Sequence, residues 1–494
     1  MSDTRVLLEP RGAVPAVGKP PGGGRSDAAA VAVPALVALV LSLLLAGRPS
    51  FWLDETATVS AVDRPLPDLV RMLRNVDAVH GAYYLLLWPW AQVSTDEAWL
   101  RLPSALAAAG GTAAVVGIGW QVFGRRTAVL SGLLFATLPL TSYNGANVRS
   151  AAFHVGLVAA GTFFLLRATA SGRRRWWVAY SLTMAAAGTL FLFAALALVA
   201  HLLYLLVIRR PVHDLLVFVL PVVAAAVVAV PARRQTGQVS WIRRPTITGL
   251  PGLVERSWFS ADTILALAFG LLAVGGLVVA VTRPARVRRG GPVLLTALLL
   301  APTAVLWVVS QVHPLLDDRY VGAATIPVAV LAGHAIAAVP RQRVAAPVLV
   351  GLVVLAGLTP QVHQRQVQGR GDGYRDDPRG VLETVAAQRR PGDAVSFPDG
   401  YTRGAAIAYP DLVVGVPDVS LATDRIPSNS LYGYGVAADG FPARLVGVRR
   451  VWLVTFPITY PVTQQQQRDA LRLAGFTAGV TTSYGRTSLT LYTR

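Results

Sequence analysis

The chain has 494 residues, of which 53% are hydrophobic and only 14% charged, and its mean hydropathy is +0.51. Soluble domains carry about 25% charged residues, so a soluble globular protein is excluded and a polytopic α-helical membrane protein is expected. Cysteine is absent, which rules out disulfides and thiolate metal sites, and the +19 net charge falls in short clusters between apolar runs, as positive-inside topology requires and nucleic-acid binding does not.

Residues 1–27, rich in Gly and Pro, are expected to form a disordered cytoplasmic tail that contains Lys19, the sole lysine. No small-residue cleavage site follows the apolar run at 28–46, so that run reads as a retained helix and not as a signal peptide. A spanning helix needs roughly 20 apolar residues. About eleven segments qualify: 28–48, 102–123, 127–143, 150–166, 177–191, 193–208, 212–232, 262–282, 292–310, 320–339 and 344–360.

The basic clusters Arg125-Arg126, Arg173-Arg174-Arg175, Arg209-Arg210, Arg283 to Arg289 and Arg341 with Arg343 all become cytoplasmic if the first span runs outward. That holds only if 81–93 does not cross. The segment is too short to span and carries two Trp and two Tyr, which suits a helix lying along the outer surface, as does 67–74. A transmembrane domain over 28–360 then has 49–101 as its first outer loop. The outer face collects Asp54, Glu55, His80, Asp96, Glu97, Arg101, Arg149, loop 233–260 and His313 to Arg319.

Beyond Pro360 the composition becomes mixed and periodic, and 361–494 reads as a small extracytoplasmic α/β domain. Its expected elements are a helix over 377–390, a strand over 394–397, a buried strand over 449–456, a helix over 463–474 stopped by Gly475, and a hairpin over 479–493 turning near Tyr484-Gly485. No nucleotide-binding glycine loop occurs in it.

Charge at a membrane rim is costly and needs a reason. Asp54-Glu55 follows the first span directly and reads either as a favourable helix start or as a general base, partly desolvated where Trp52 anchors it at headgroup depth. His80 either contacts a phosphate or substrate hydroxyl or caps the helix behind it. Arg149 either binds an anion or snorkels. The run His313 to Tyr320 brings His313, Asp317, Asp318 and Arg319 between two spans, where Arg319 can hold a phosphate bidentately or simply pair with a local Asp. Oxygen ligands from Asp54, Asp317 and Asp318 allow a divalent cation site, although no cofactor is required. No Asp, Glu, Lys or Arg lies mid-span, and His154, His201 and His334 read as packed core.

Five pieces together resemble the GT-C superfamily of membrane glycosyltransferases. They are Leu53-Asp54-Glu55, His80-Gly81-Ala82-Tyr83-Tyr84-Leu85, Leu100-Arg101-Leu102-Pro103-Ser104, Asn147-Val148-Arg149 and Asp318-Arg319-Tyr320-Val321. The resemblance is to family 39-like enzymes, the protein O-mannosyltransferase and aminoarabinose-transferase relatives of actinobacterial type. It covers roughly 28–340, with His80-Gly81-Ala82 where the family often has His-Pro-Pro.

It implies a polyprenyl-phosphate sugar donor, mannose first and arabinose second, and an acceptor glycan, lipid or protein on the extracytoplasmic face of the plasma membrane. Asp54, with Glu55 beside it, would deprotonate the acceptor. Arg149 and Arg319 would bind the donor phosphate, with His80 orienting. His313, Asp317, Asp318, Tyr320 and Trp258 would line the substrate loop. Loop 233–260, which carries Trp241, Arg243, Arg244 and Trp258, either closes over the site or is a belt of interfacial aromatics. The rival readings are a lipid-linked sugar flippase, which needs charge inside the bundle, and a non-catalytic glycan-binding scaffold.

Overall fold

The computed structural model describes residues 24–339, 342–365, 376–456 and 461–494, so most of the expected N-terminal tail lies outside the described residues. Among these, seven helices are long and apolar enough to cross a membrane. The chain is a multi-pass membrane protein with a small sheet-containing domain after its last apolar helix.

The apolar helices are α1 (Arg25–Leu43), α5 (Glu97–Phe123), α6 (Arg125–Thr137), α7 (Pro139–Gly145), α8 (Ala151–Ser171), α9 (Arg174–Leu190), α10 (Ala197–Val207), α11 (Val219–Ala232), α13 (Thr263–Thr282), α14 (Gly291–Val309), α15 (Thr325–Ala338) and α16 (Gln342–His363). Three short helices, α2 (Leu53–Val62), α3 (Leu66–Leu73) and α4 (Gly81–Ala91), fill the first long loop, and α12 (Leu250–Phe259) lies between α11 and α13. The expected surface helices at 67–74 and 81–93 correspond to α3 and α4.

Several expected spans are not continuous α-helices. The run 127–143 breaks at Pro139, which opens α7 and forces Leu138 out of the helical region. The run 193–208 begins as a tight turn, Leu192–Leu196, after an extended Phe191. Small residues allow close helix contacts within the bundle. A Cβ on Gly111 of α5 would lie 2.8 Å from the Gly156 Cα of α8, so the two backbones touch where no side chain intervenes.

The helix ends sort by charge. Arg125 Nη2 donates to the Ser26 carbonyl at 2.9 Å, the Arg288 amide to the Val122 carbonyl at 3.0 Å, and Arg288 Nη2 to the Leu166 carbonyl at 2.7 Å. Gly290 sits in the left-handed region (φ 73°) where a Cβ would meet Ile208 at 2.6 Å. The arginine-rich turns therefore share one end. At the other end Ser142 Oγ donates to Gln361 Oε1 at 2.7 Å, Gln364 Nε2 to Ser260 Oγ at 3.1 Å and Gln311 Nε2 to the Pro245 carbonyl at 3.2 Å.

The C-terminal domain is also at this second end. It comprises α17 (Pro378–Gln388), β1 (Asp393–Ser396), α18 (Gly400–Ala408), β2 (Leu421–Thr423), β3 (Tyr434–Gly435), β4 (Arg450–Thr455), α19 (Pro461–Leu473), β5 (Thr477–Tyr484) and β6 (Thr487–Thr493). Strand order is β1-β4-β6-β5, with β1 parallel to β4 and the other pairs antiparallel. Asp377 caps α17 by accepting from the Gly380 amide at 3.0 Å, and Gly475 (φ 83°) ends α19. Helix α18 and the β2–β3 ribbon are additions to the expected elements.

The domain grips the first long loop. Tyr409 Oη donates to Glu97 Oε1 at 2.8 Å and accepts from the Phe51 amide at 2.7 Å, while Arg379 pairs with Glu97 at 2.6 Å. Arg425 donates to the Ser60 carbonyl and to Asp63 Oδ2, each at 2.7 Å. Helix α18 lies on α2 so closely that a Cβ on Gly404 would come within 2.5 Å of Thr56 Oγ1.

Candidate active site

Helix α2 begins immediately after Trp52, which places Asp54 and Glu55 in its first turn, where an acidic side chain meets unpaired backbone amides. The two carboxylates face different surroundings. Glu55 is 1% exposed and accepts from Arg101 Nε at 3.0 Å, Arg101 Nη2 at 2.7 Å, the Trp52 amide at 3.3 Å and the Val148 amide at 2.8 Å. Arg101, also buried, donates further to the Pro49 and Ser50 carbonyls. Every lone-pair direction of Glu55 is thus used inside the protein. This corrects its expected place beside the reacting group: it ties the loop, α5 and the segment before Arg149 together. Trp52 is likewise an internal anchor and not a headgroup one, for it is 9% exposed and its Nε1 donates to Asn147 Oδ1 at 2.7 Å.

Asp54 turns the other way and keeps about a quarter of its side chain exposed. Its Oδ2 accepts from Arg319 Nη1 at 2.5 Å, and Arg319 Nε donates to Asp317 Oδ1 at 2.8 Å. Asp317 is fixed in turn because it caps the turn Asp318–Ala324 by accepting from the Arg319 amide at 3.2 Å. One guanidinium therefore fills the space between Asp54 and Asp317, and the arrangement once open to a divalent cation there is occupied by Arg319. Among the described residues no group of three or more His, Asp or Glu side chains is placed to hold a metal ion.

Arg149 completes the cationic side. Its Nη1 donates to the Asp54 carbonyl at 3.2 Å and its Nη2 to His80 Nε2 at 3.0 Å. Burial pulls the Arg149 guanidinium towards neutrality, but Asp54, Tyr84 and Asp77 outweigh that and hold it above its ordinary value. His80 behaves oppositely: burial first and Arg149 second keep its pKa well below the ordinary 6.5. A neutral imidazole brings no positive charge to a phosphate, so any contact from His80 is a hydrogen bond and not an ion pair. With Nε2 accepting, its proton is on Nδ1, so His80 orients Arg149 and retains one donor.

Asp77, which no motif in the sequence marks out, lies beside this cluster. Its Oδ2 accepts from Tyr84 Oη at 2.5 Å, and burial raises its pKa, partly offset by Arg149. The signal available was its position three residues before His80. Its left-handed backbone (φ 62°), unusual for a residue other than Gly, shows only in the structure.

The remaining expected residues divide. Tyr320 stacks on Phe193 with ring centroids 4.0 Å apart, and Phe191 in turn stacks on His154 at 4.4 Å, which makes an aromatic wall beside Arg319. Trp241, half exposed, covers the Arg319 guanidinium at 5.5 Å. Asp318 is half-buried, and its carbonyl accepts from Ser257 Oγ at 3.1 Å. Trp258 is 5% exposed and packs on Phe259, so it belongs to the core and not to a substrate-facing surface. His313 is exposed, at the end of α14, outside the Asp54–Arg319–Arg149–His80 cluster.

Residues 82–232 match the family model described as dolichyl-phosphate-mannose-protein mannosyltransferase. No curated protein matches the chain significantly. Among similar solved structures are ArnT from Cupriavidus metallidurans in the apo state (TM-score 0.60, 15% identity, 94% of this chain and 98% of that one covered). The same enzyme bound to undecaprenyl phosphate gives a TM-score of 0.58 at 15% identity over 93% and 97%. The apo oligosaccharyltransferase of Archaeoglobus fulgidus gives 0.51 at 10% identity over 87% and 69%. The chain therefore has the GT-C fold that the five sequence pieces implied.

Proposed function

We propose that this chain is a membrane glycosyltransferase that moves a sugar from a polyprenyl-phosphate donor to an acceptor hydroxyl on the extracytoplasmic face. One observation carries the reading. A partly exposed carboxylate, Asp54, meets two guanidinium groups, Arg319 and Arg149, at one rim of a bundle whose spans hold no charge at mid-depth. The ArnT structure with undecaprenyl phosphate supports a lipid-phosphate donor, and the matching family model supports mannose.

The chemistry needs one base and cations for the departing phosphate. On donor binding, the phosphate takes over Arg319 and Arg149, and the freed Asp54 carboxylate accepts the acceptor's hydroxyl proton. The acceptor oxygen bonds to the anomeric carbon from the face opposite the phosphate. The bond from that carbon to the phosphate oxygen breaks, and its electron pair leaves with polyprenyl phosphate, so configuration inverts. Polyprenyl phosphate is a stable anion, and no general acid is required, unlike glycoside hydrolysis with its two carboxylates. The aromatic wall of Tyr320, Phe193 and Phe191 receives the first isoprene units. The C-terminal domain, clamped to α2, forms the acceptor side.

Membranes containing the chain, incubated with radiolabelled polyprenyl-phosphate mannose and a lipid extract, are expected to yield a labelled product of inverted anomeric configuration. Label that merely crosses the bilayer still attached to polyprenyl phosphate would overturn the reading in favour of a flippase.

A further inference from the structure

The segment between α11 and α12 breaks the charge pattern of the molecule. The arginine-rich turns gather at the end away from the candidate site, whereas this segment lies at the site end, where the apolar stretch Val212–Gln235 closes. It exposes Arg233, Arg234, Arg243 and Arg244, and no Asp or Glu occurs from Arg233 to Val254. Among the described residues, none of the four arginines has an acidic partner within ion-pair distance. Four exposed like charges repel one another unless an outside anion answers them.

The segment is held in place. Gln235 Oε1 accepts from the Ala78 amide at 2.8 Å and its Nε2 donates to the Leu73 carbonyl at 3.2 Å, while Gln311 secures the Pro245 carbonyl. Ile242 is buried between the two arginine pairs, Ile247 (68% exposed) stands open beside them, and Trp241, which covers Arg319, keeps 54% of its surface exposed. Basic side chains interleaved with an exposed indole and an aliphatic group, at the end of an apolar span, match the chemistry of an anionic bilayer surface. A free acidic polymer would satisfy the charges but not the exposed apolar groups.

We infer that residues 233–249 form a seat for anionic phospholipid headgroups in the leaflet next to the site, and that seating holds Trp241 over Arg319. Each arginine near an anionic surface strengthens partition about fivefold, so four dominate the loop's placement. The inference does not depend on the transfer reaction.

The test uses the full chain, which lacks cysteine and accepts a single fluorophore through Ile247→Cys. The labelled protein is reconstituted in phosphatidylcholine vesicles with about a third phosphatidylglycerol. A shallow nitroxide is placed on one lipid or the other at equal amount. Quenching by labelled phosphatidylglycerol is expected to exceed that by labelled phosphatidylcholine about threefold, and the excess falls as salt screens the surface. It disappears when Arg233, Arg234, Arg243 and Arg244 are all changed to Gln and persists when all four are changed to Lys. Equal quenching by the two lipids, or an excess that survives the Gln changes, overturns the inference. So does loss of the excess on adding inorganic phosphate beyond the effect of sodium chloride, which marks a free-phosphate site, or on adding a trace of acidic polysaccharide, which marks a glycan site.

Discussion

Arg319 Nη1 donates to Asp54 Oδ2 at 2.5 Å across 265 positions of sequence, joining the first long loop to the turn before α15. The same guanidinium is shared with Asp317, so its charge is divided between two carboxylates, and on the proposed mechanism a donor phosphate competes with both.

Changing Arg319 to Gln is expected to raise the donor KM by at least about tenfold and to lower kcat, because a charge-assisted contact to phosphate is lost. Arg319→Lys recovers only part of this, since a point charge cannot bond Asp317 and a phosphate in the forked geometry of a guanidinium. Steady-state kinetics with purified donor check both variants; full recovery by Lys would exclude the forked contact.

Glu55 and Asp54 are neighbours with opposite expected phenotypes. Glu55→Ala leaves Arg101 charged and buried, a change that typically costs 3–5 kcal/mol. Its thermal midpoint in detergent is expected to fall sharply, whereas that of Asp54→Asn stays close to wild type. A stable Glu55→Ala protein with abolished transfer would instead return Glu55 to the reacting site.

Gly404 is a point of close approach between the C-terminal domain and α2. A side chain there would run into Thr56 Oγ1 at 2.5 Å and Tyr432 at 3.0 Å, and overpacking of this kind costs typically 1–3 kcal/mol. Gly404→Val is expected to make the junction near residue 376 more open to protease and to cut transfer several-fold, while leaving the helical bundle's thermal transition in place. Unchanged proteolysis and activity would show that the domain's seat does not matter to α2.

His80 gives a pH signature. Its pKa in the folded protein lies well below 6.5 because it is buried beside Arg149 and Arg319. A depressed pKa means the unfolded chain takes up the proton first. The stability present above pH 6.5 is therefore lost progressively as pH falls below it. The thermal midpoint, followed from neutral pH downward, is expected to drop less steeply in His80→Gln than in wild type. Identical slopes would mean that His80 titrates normally.

Much of this was legible in the chain because membranes make charge placement informative. Asp54, Arg149 and Arg319 were identifiable because an ionised group at a span's edge has few reasons to be there, and counting basic residues put all three at one end. What each carboxylate faces was not legible. Adjacent Asp54 and Glu55 differ by about 100° around a helix, which sends one to the rim and the other to Arg101. Trp52, Trp241 and Trp258 share a residue type but have three environments, an internal hydrogen bond, a guanidinium cover and a packed core, because tertiary contacts decide where an indole goes. Asp77 escaped notice for the same reason: its importance arises from a left-handed turn and a tyrosine on the next helix. The seat of α18 on α2 depends on Gly404, whose lack of a side chain leaves no periodic trace.

Proton transfer from the acceptor to Asp54 is the step on which the proposed mechanism rests. It is tested most directly by single-turnover transfer from labelled polyprenyl-phosphate mannose with Asp54→Asn, in a preparation shown to fold and bind donor as wild type does. General-base catalysis contributes typically 10²–10⁴-fold, so the rate is predicted to fall by at least about a hundredfold. A variant that retains more than about a tenth of the wild-type rate contradicts the account.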